Sequence, residues 1–158
     1  MSEVASSLAP LRKTVVVPLE QSRAFELFTA RFGEWWPLAT HSVGLGDALL
    51  VRFPRAAGGP IVETMRDGST SVWGTVTRWD PPVAVRFTWH PGQPESWAGD
   101  IEVRFTPDGP AATVVELTHS GWERRADGAA ARLGYDSGWA AVLAAYGTHG
   151  GDATLSSR

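Results

Sequence analysis

Two titratable side chains fall where their neighbours predict an interior: Glu63 in PIVETM and His119 in TVVELTHS. Side chains alternate between the faces of a strand, so Ile61 and Met65 share the face of Glu63, and Val115 and Leu117 share that of His119. A buried carboxylate needs a donor to remain charged, and a histidine or an indole can supply one. Facing each other, the two groups would form an acid–base pair able to move a proton. The other reading is that Glu63 pairs with a surface arginine and His119 caps a turn through Ser120. Ser120 is a poor nucleophile, because adjacent strand residues point to opposite faces and His119 could not take its proton directly.

The second chemical feature is aromatic. The 158 residues include eight tryptophans. An indole combines a large apolar area with one hydrogen-bond donor, which suits a flat apolar or aromatic molecule. The residues expected to line such a pocket are Phe28, Trp36, Trp73, Trp89, Trp122, Tyr135, Trp139 and Val142, with Glu63 and His119 supplying orientation. For each aromatic the alternative is ordinary core, packing helix to sheet. In GEWWP, Trp35 and Trp36 are neighbours, and neighbours on a helical turn differ by about 100°. They are therefore expected not to face inward together, which leaves one at the rim of an opening.

Other chemistries lack their residues. His41, His90, His119 and His149 show no metal-ligand spacing, and there is no cysteine, so neither a metal nor a disulfide framework is expected. GLGD and PRAAGGP lack the strand–loop–helix context of a phosphate loop, and no nucleophile elbow or dinucleotide fingerprint occurs. No cofactor is expected. A net charge of -3 with scattered arginines argues against nucleic acid. No apolar run approaches the roughly 20 residues of a membrane span, and the N-terminus lacks the pattern of a secretory signal, so a cytoplasmic location is the expectation.

The elements that must position these residues follow from periodicity. LRKTVVVP reads as a strand closed by Pro18. Leu19, Phe25, Phe28 and Phe32 then recur at helical spacing, with Gly33 a natural breaker, giving one helix and a second short turn up to Pro37. From Leu49 the period becomes two, and turn-rich clusters such as MRDGST, WDPPVA and TPDGPA separate short strands, the signature of an antiparallel meander. Val83, Val85, Phe87 and Trp89 fall on one face, as do Ile101, Val103 and Phe105, while Arg86, Glu102 and Arg104 face water. Roughly Asp127 to Tyr146 forms an amphipathic helix carrying Tyr135, Trp139, Val142, Leu143 and Tyr146, with Gly138 allowing close approach to the strands. The fold class is α+β: a curved antiparallel sheet of about six or seven strands wrapped around a long C-terminal helix, with two short helices after the first strand. Residues 11–148 form one domain, and 1–10 and 149–158 are expected to be disordered tails.

The run GGP-IVE-T-MRDGST-SVWGTVTRWDPPVAVRFTW, a strand ending HSGW, and a helix carrying GY-DSGW-AAVL resemble the SRPBCC superfamily, whose members share the helix-grip fold. Within it the likeness is greatest to the family built around the C-terminal domain of the heat-shock-protein-90 ATPase activator. It runs from about Arg12 to Tyr146 and rests on Trp73-Gly74, Asp80-Pro81-Pro82, Trp89, His119-Ser120-Gly121-Trp122 and Gly138-Trp139. The resemblance implies a cavity between sheet and terminal helix. Branches of the superfamily carry lipids, plant hormones or polyketide intermediates there, or serve structural roles.

Three functions are consistent with these residues. The first is binding of a small hydrophobic or aromatic molecule. The second is an enzyme of the cyclase, dehydratase or isomerase kind, using a pocket acid–base pair. The third is a co-chaperone-like interaction domain, weakened because the chain lacks the additional N-terminal domain of the eukaryotic activator. A homodimer stays open, since the edge strand of a meander can pair across a two-fold axis.

Overall fold

A computed structural model describes residues 7–156, and for 152–156 the backbone alone. The chain opens with β1 (Leu11–Val17), followed by α1 (Gln21–Phe28) and α2 (Phe32–Trp35). Six strands then run in succession: β2 (Ala48–Arg52), β3 (Pro60–Met65), β4 (Thr70–Asp80), β5 (Ala84–Trp89), β6 (Gly99–Pro107) and β7 (Thr113–Ser120). The last element is α3 (Gly128–Ser156). The seven strands form one antiparallel sheet in the order β1-β7-β6-β5-β4-β3-β2, so the meander closes back onto the first strand. Register shifts at Ala48/Leu50, Ile61/Val62 and Val76/Arg78 bend the β2–β5 side, since an extra residue on one strand increases local twist and curvature.

The alternation read from the sequence sorts the two faces. Val85, Phe87, Trp89, Ile101, Val103, Phe105, Val115 and Leu117 are buried under the helices. On the outer face Arg104 pairs with Glu102 at 2.7 Å, and Arg124 with Asp100 at 2.9 Å. Val83 departs from its expected place: it sits in the turn before β5 and is exposed, because strand alternation begins only at Ala84.

The helix pair divides at Thr29–Arg31 rather than at Gly33, which lies inside α2. Glu20 caps α1 through the Arg23 amide, and the buried Thr29 hydroxyl donates to the Phe25 carbonyl at 2.8 Å, ending the helix. Leu19, Phe25, Phe28 and Phe32 are all buried, as their spacing requires. The Tyr146 hydroxyl donates to the Ala24 carbonyl at 2.7 Å and ties α3 to α1.

The terminal helix is longer than its apolar stripe. It spans 29 residues, about 43 Å at 1.5 Å per residue, and continues through the segment 149–158 expected to be a tail as far as Ser156. Small residues make this continuation possible: Gly150 is buried against Val17 and Leu19, where a bulky side chain would hold the helix off β1. At the other end, residues 7–10 are also tied down. Leu8 packs on the core, and Arg132 Nε donates to the Ala9 carbonyl at 2.6 Å. Residues 1–6, 157 and 158, the rest of the expected tails, lie outside the described residues. No helix among the described residues is long and apolar enough to cross a membrane.

Candidate functional site

The space between α3 and the sheet is mostly filled, and a cleft of about 680 Å³ remains at one end. Its walls come from three places in the chain. Trp36 and the loop Thr40–Val43 form one, Trp89 with Pro91 and Gly92 at the end of β5 form the second, and Gly134, Tyr135, Ser137, Gly138, Trp139 and Val142 on α3 form the third.

Of the residues expected to line a pocket, Trp36, Trp89, Tyr135, Trp139 and Val142 meet at this cleft. Phe28, Trp73, Trp122, Glu63 and His119 do not border it; they are buried behind it or elsewhere in the core. Phe28 packs on Phe32, Trp35, Phe105 and Tyr146, whose ring centroids lie 5.2–6.0 Å away. Trp73 stands behind Trp36 and Trp89, with centroids 5.3 and 5.5 Å away, and so backs the aromatic wall.

Trp35 and Trp36 are both inside, contrary to the helical-turn argument, at 5% and 7% exposure. The reason is local. Trp36 is the residue at which α2 ends, with extended backbone (φ -64°, ψ 128°), so the 100° offset of helical neighbours does not govern it. Trp35 packs toward Tyr146 and donates from Nε1 to the Leu27 carbonyl at 2.9 Å. Trp36 stacks on Phe32 at 4.8 Å and presents its other surroundings, Trp89 and Trp139, to the cleft.

Glu63 and His119 are not partners. Glu63 is fully buried, and its carboxylate accepts from the Val43 amide at 2.9 Å, the Gly44 amide at 2.8 Å and Trp73 Nε1 at 2.8 Å. It is a brace that holds the Thr40–Val43 loop against the sheet, its three partners being donors of the fold and not a surface arginine. Just after that loop, Leu45 opens the turn Leu45–Asp47 at φ +49°, a conformation that needs surrounding contacts to persist. His119 lies four strands away in the sheet order. Its Nδ1 accepts from Trp139 Nε1 at 3.0 Å, and its ring lies 4.0 Å from that of Trp122. Burial, assisted by the positive Arg125, lowers its pKa from 6.5 to about 3. It is a neutral acceptor that fixes the Trp139 ring at the cleft wall.

The burial of His119 has a measurable consequence. Below pH 6.5 the unfolded chain takes up a proton that the folded chain refuses until about pH 3, so stability falls as pH drops through that window. His119→Gln, whose side-chain oxygen can still accept from Trp139, is expected to reduce the slope of unfolding free energy against pH by about 1.4 kcal/mol per unit between pH 6 and 4. Urea titrations at stepped pH measure it, and equal slopes in the two proteins would show that His119 is not held neutral.

Six tryptophans are buried, and five of their N–H groups donate to an acceptor within the fold. Trp89 is the exception: its Nε1 is buried with no hydrogen bond of standard geometry. The Tyr135 hydroxyl stands close enough to this N–H and to Arg125 for both to oppose the rise that burial imposes on its pKa, although no hydrogen bond of standard geometry forms to Trp89 Nε1. An unpaired buried N–H costs about 1–3 kcal/mol, and the residue that carries this one borders the cleft.

Several lining residues were not foreseen. Gly138 and Gly134 are spaced four apart on α3, and a Cβ added at either would meet nothing within 4 Å. Gly138 therefore faces open cleft and not the strands. Two mid-helix glycines, each costing about 1 kcal/mol relative to alanine, were the available signal. His41 gave none, because a loop residue acquires its surroundings only in the fold. Its Nδ1 lies 2.7 Å from Thr40 Oγ1, and that hydroxyl is 3.4 Å from the Pro37 carbonyl. Among the described residues no three His, Asp or Glu side chains converge as metal ligands would.

The family model described as Activator of Hsp90 ATPase homolog 1-like protein matches residues 19–146. The chain belongs to that family. Among solved structures, this chain is 35% identical to Txn09, an anthrahydroquino-gamma-pyrone synthase, with 78% of this chain and 84% of that chain covered and a TM-score of 0.57. It is similar in fold to CalC, a self-sacrificing resistance protein from Micromonospora echinospora, at 22% identity, 92% and 96% coverage and a TM-score of 0.65. A protein from Arthrobacter aurescens shares the fold at 14% identity, 93% and 88% coverage and a TM-score of 0.67. No curated protein matches the sequence.

Proposed function

We propose that the cleft binds a planar, oxygen-substituted polycyclic aromatic molecule. The observation that carries this reading is a pair of indoles, Trp36 and Trp89, facing a helix that carries Trp139 and is stripped of side chains at Gly134 and Gly138. A flat ring system fits between such surfaces, and a volume of about 680 Å³ lies in the range of small-molecule sites. The 35% identity to an anthrahydroquino-gamma-pyrone synthase supports the same ligand class. Titrating the protein with anthraquinone-2-sulfonate tests it: about one equivalent should quench the tryptophan emission with a micromolar Kd, about -8 kcal/mol. An unaltered spectrum in folded protein would overturn the proposal.

The likeness to a synthase favours a second reading, in which the bound molecule closes a ring. In that chemistry a substrate hydroxyl oxygen adds to a carbonyl carbon of the same molecule, and the hydroxyl proton passes through a base to the carbonyl oxygen, giving a cyclic hemiketal. Loss of that new hydroxyl together with a proton from the adjacent CH2 forms the ring C=C bond and releases one water. His41 is the cleft residue suited to the base. If Thr40 donates to Pro37, its oxygen accepts from His41 Nδ1–H, which leaves Nε2 with a free lone pair. His41→Gln should slow closure of a phenol bearing an adjacent 1,3-diketone by about 10²-fold, with anthraquinone-2-sulfonate affinity unchanged. Equal turnover by wild type and variant would remove His41 from the reaction.

A further inference from the structure

We infer that the indole N–H of Trp89 is the hydrogen-bond anchor for a ring carbonyl oxygen of the ligand. The inference rests on the aromatic-ligand reading above and adds a polar contact to it. Trp35, Trp36, Trp73, Trp122 and Trp139 direct their N–H groups to Leu27, His41, Glu63, His119 carbonyl and His119 Nδ1 respectively. Five of the six buried indoles are paired in this way, which shows what this fold does with such donors when no other use is made of them. Trp89 is 3% exposed, borders the cleft, and leaves its donor unpaired. A donor in that position selects an acceptor.

The matching chemistry is a quinone, anthrone or pyrone carbonyl, whose oxygen lies in the plane of the rings. Stacking on Trp36 or Trp139 is indifferent to that oxygen, since any fused aromatic provides a π face. The single donor therefore determines which flat molecule is preferred and which way round it enters. Tyr135, whose hydroxyl stands beside the same N–H, is the rival anchor.

Two probes of one shape separate these contributions: anthraquinone-2-sulfonate, with ring carbonyls, and anthracene-2-sulfonate, without them. Wild type should bind the quinone about tenfold more tightly, the worth of one buried hydrogen bond. Trp89→Phe keeps an aromatic ring and removes the donor. It should abolish that tenfold preference, read as the ratio of the two affinities in the same variant, so that any loss of stacking area, which both probes share, cancels. Tyr135→Phe should preserve the preference. In protein with 15N-labelled indoles, the Trp89 Nε1–H resonance should move downfield with the quinone and hold with the hydrocarbon, a measurement that needs no variant to fold. Equal affinity of wild type for both probes, or a preference lost in Tyr135→Phe and kept in Trp89→Phe, overturns the anchor while the aromatic site stands. If neither probe binds, the site reading itself fails and the anchor with it.

Discussion

Gly138→Leu is expected to make the protein more stable and to abolish ligand binding. Glycine in a helix interior costs about 1 kcal/mol, and a Cβ at this position meets no atom within 4 Å, so the substitution removes a penalty without a clash. For a chain of this size the thermal midpoint should rise by about 2–4 °C. The leucine side chain must occupy the cleft opposite Trp36 and Trp89, and anthraquinone-2-sulfonate should lose about 100-fold or more in affinity, near 2.7 kcal/mol. Calorimetry and tryptophan quenching on the same samples measure both. Opposite signs are the signature of a glycine retained for function at a cost in stability. A stabilised variant that binds as wild type does would place the ligand elsewhere. Trp139→Ala is a poorer probe, because the indole also packs in the core and bonds His119.

Glu63→Ala should produce the largest loss of stability, about 3–5 kcal/mol, measured as a shift in the urea midpoint at unchanged slope. The substitution strands Trp73 Nε1 in a fully buried site and releases the Val43 and Gly44 amides together. Glu63→Gln should fall between, since its amide keeps one acceptor and turns a donor toward another donor. As a control, Glu102→Gln, which loses only a solvent-facing pair with Arg104, should change stability by less than about 1 kcal/mol. A Glu63→Ala protein as stable as that control would mean that the three hydrogen bonds are not the brace described. Because Val43 borders the cleft, the same variant should also weaken binding, through the loop rather than through proton transfer.

Local rules account for the agreement between sequence and structure. Period-two alternation in β5, β6 and β7, the helical spacing of Leu19, Phe25, Phe28 and Phe32, and the stripe ending at Tyr146 each concern residues a few positions apart, where backbone geometry alone sets which way a side chain points. From these came the strand–helix–helix–six strands–helix order, the buried face and the curved sheet over one long helix. The burial of Glu63 and His119 was legible by the same parity. Their partners were not, because a strand's alternation says which face a group occupies and nothing about which loop or helix arrives there.

Everything that makes the cleft a site depended on elements distant in the chain. Trp36, His41, Trp89 and Gly138 meet across contacts spanning about a hundred residues, and no periodicity reports such a meeting. The tertiary fold paired five buried indole donors and left that of Trp89 open, sent Trp36 inward by ending α2 at that residue, and turned Gly138 to empty space instead of a strand. The sequence by itself determined the architecture and the stock of aromatic side chains, because both follow from short-range geometry and composition. Which of those side chains border open space, and which donor lacks an acceptor, was decided by packing, since a cavity is the volume that all the elements together fail to fill.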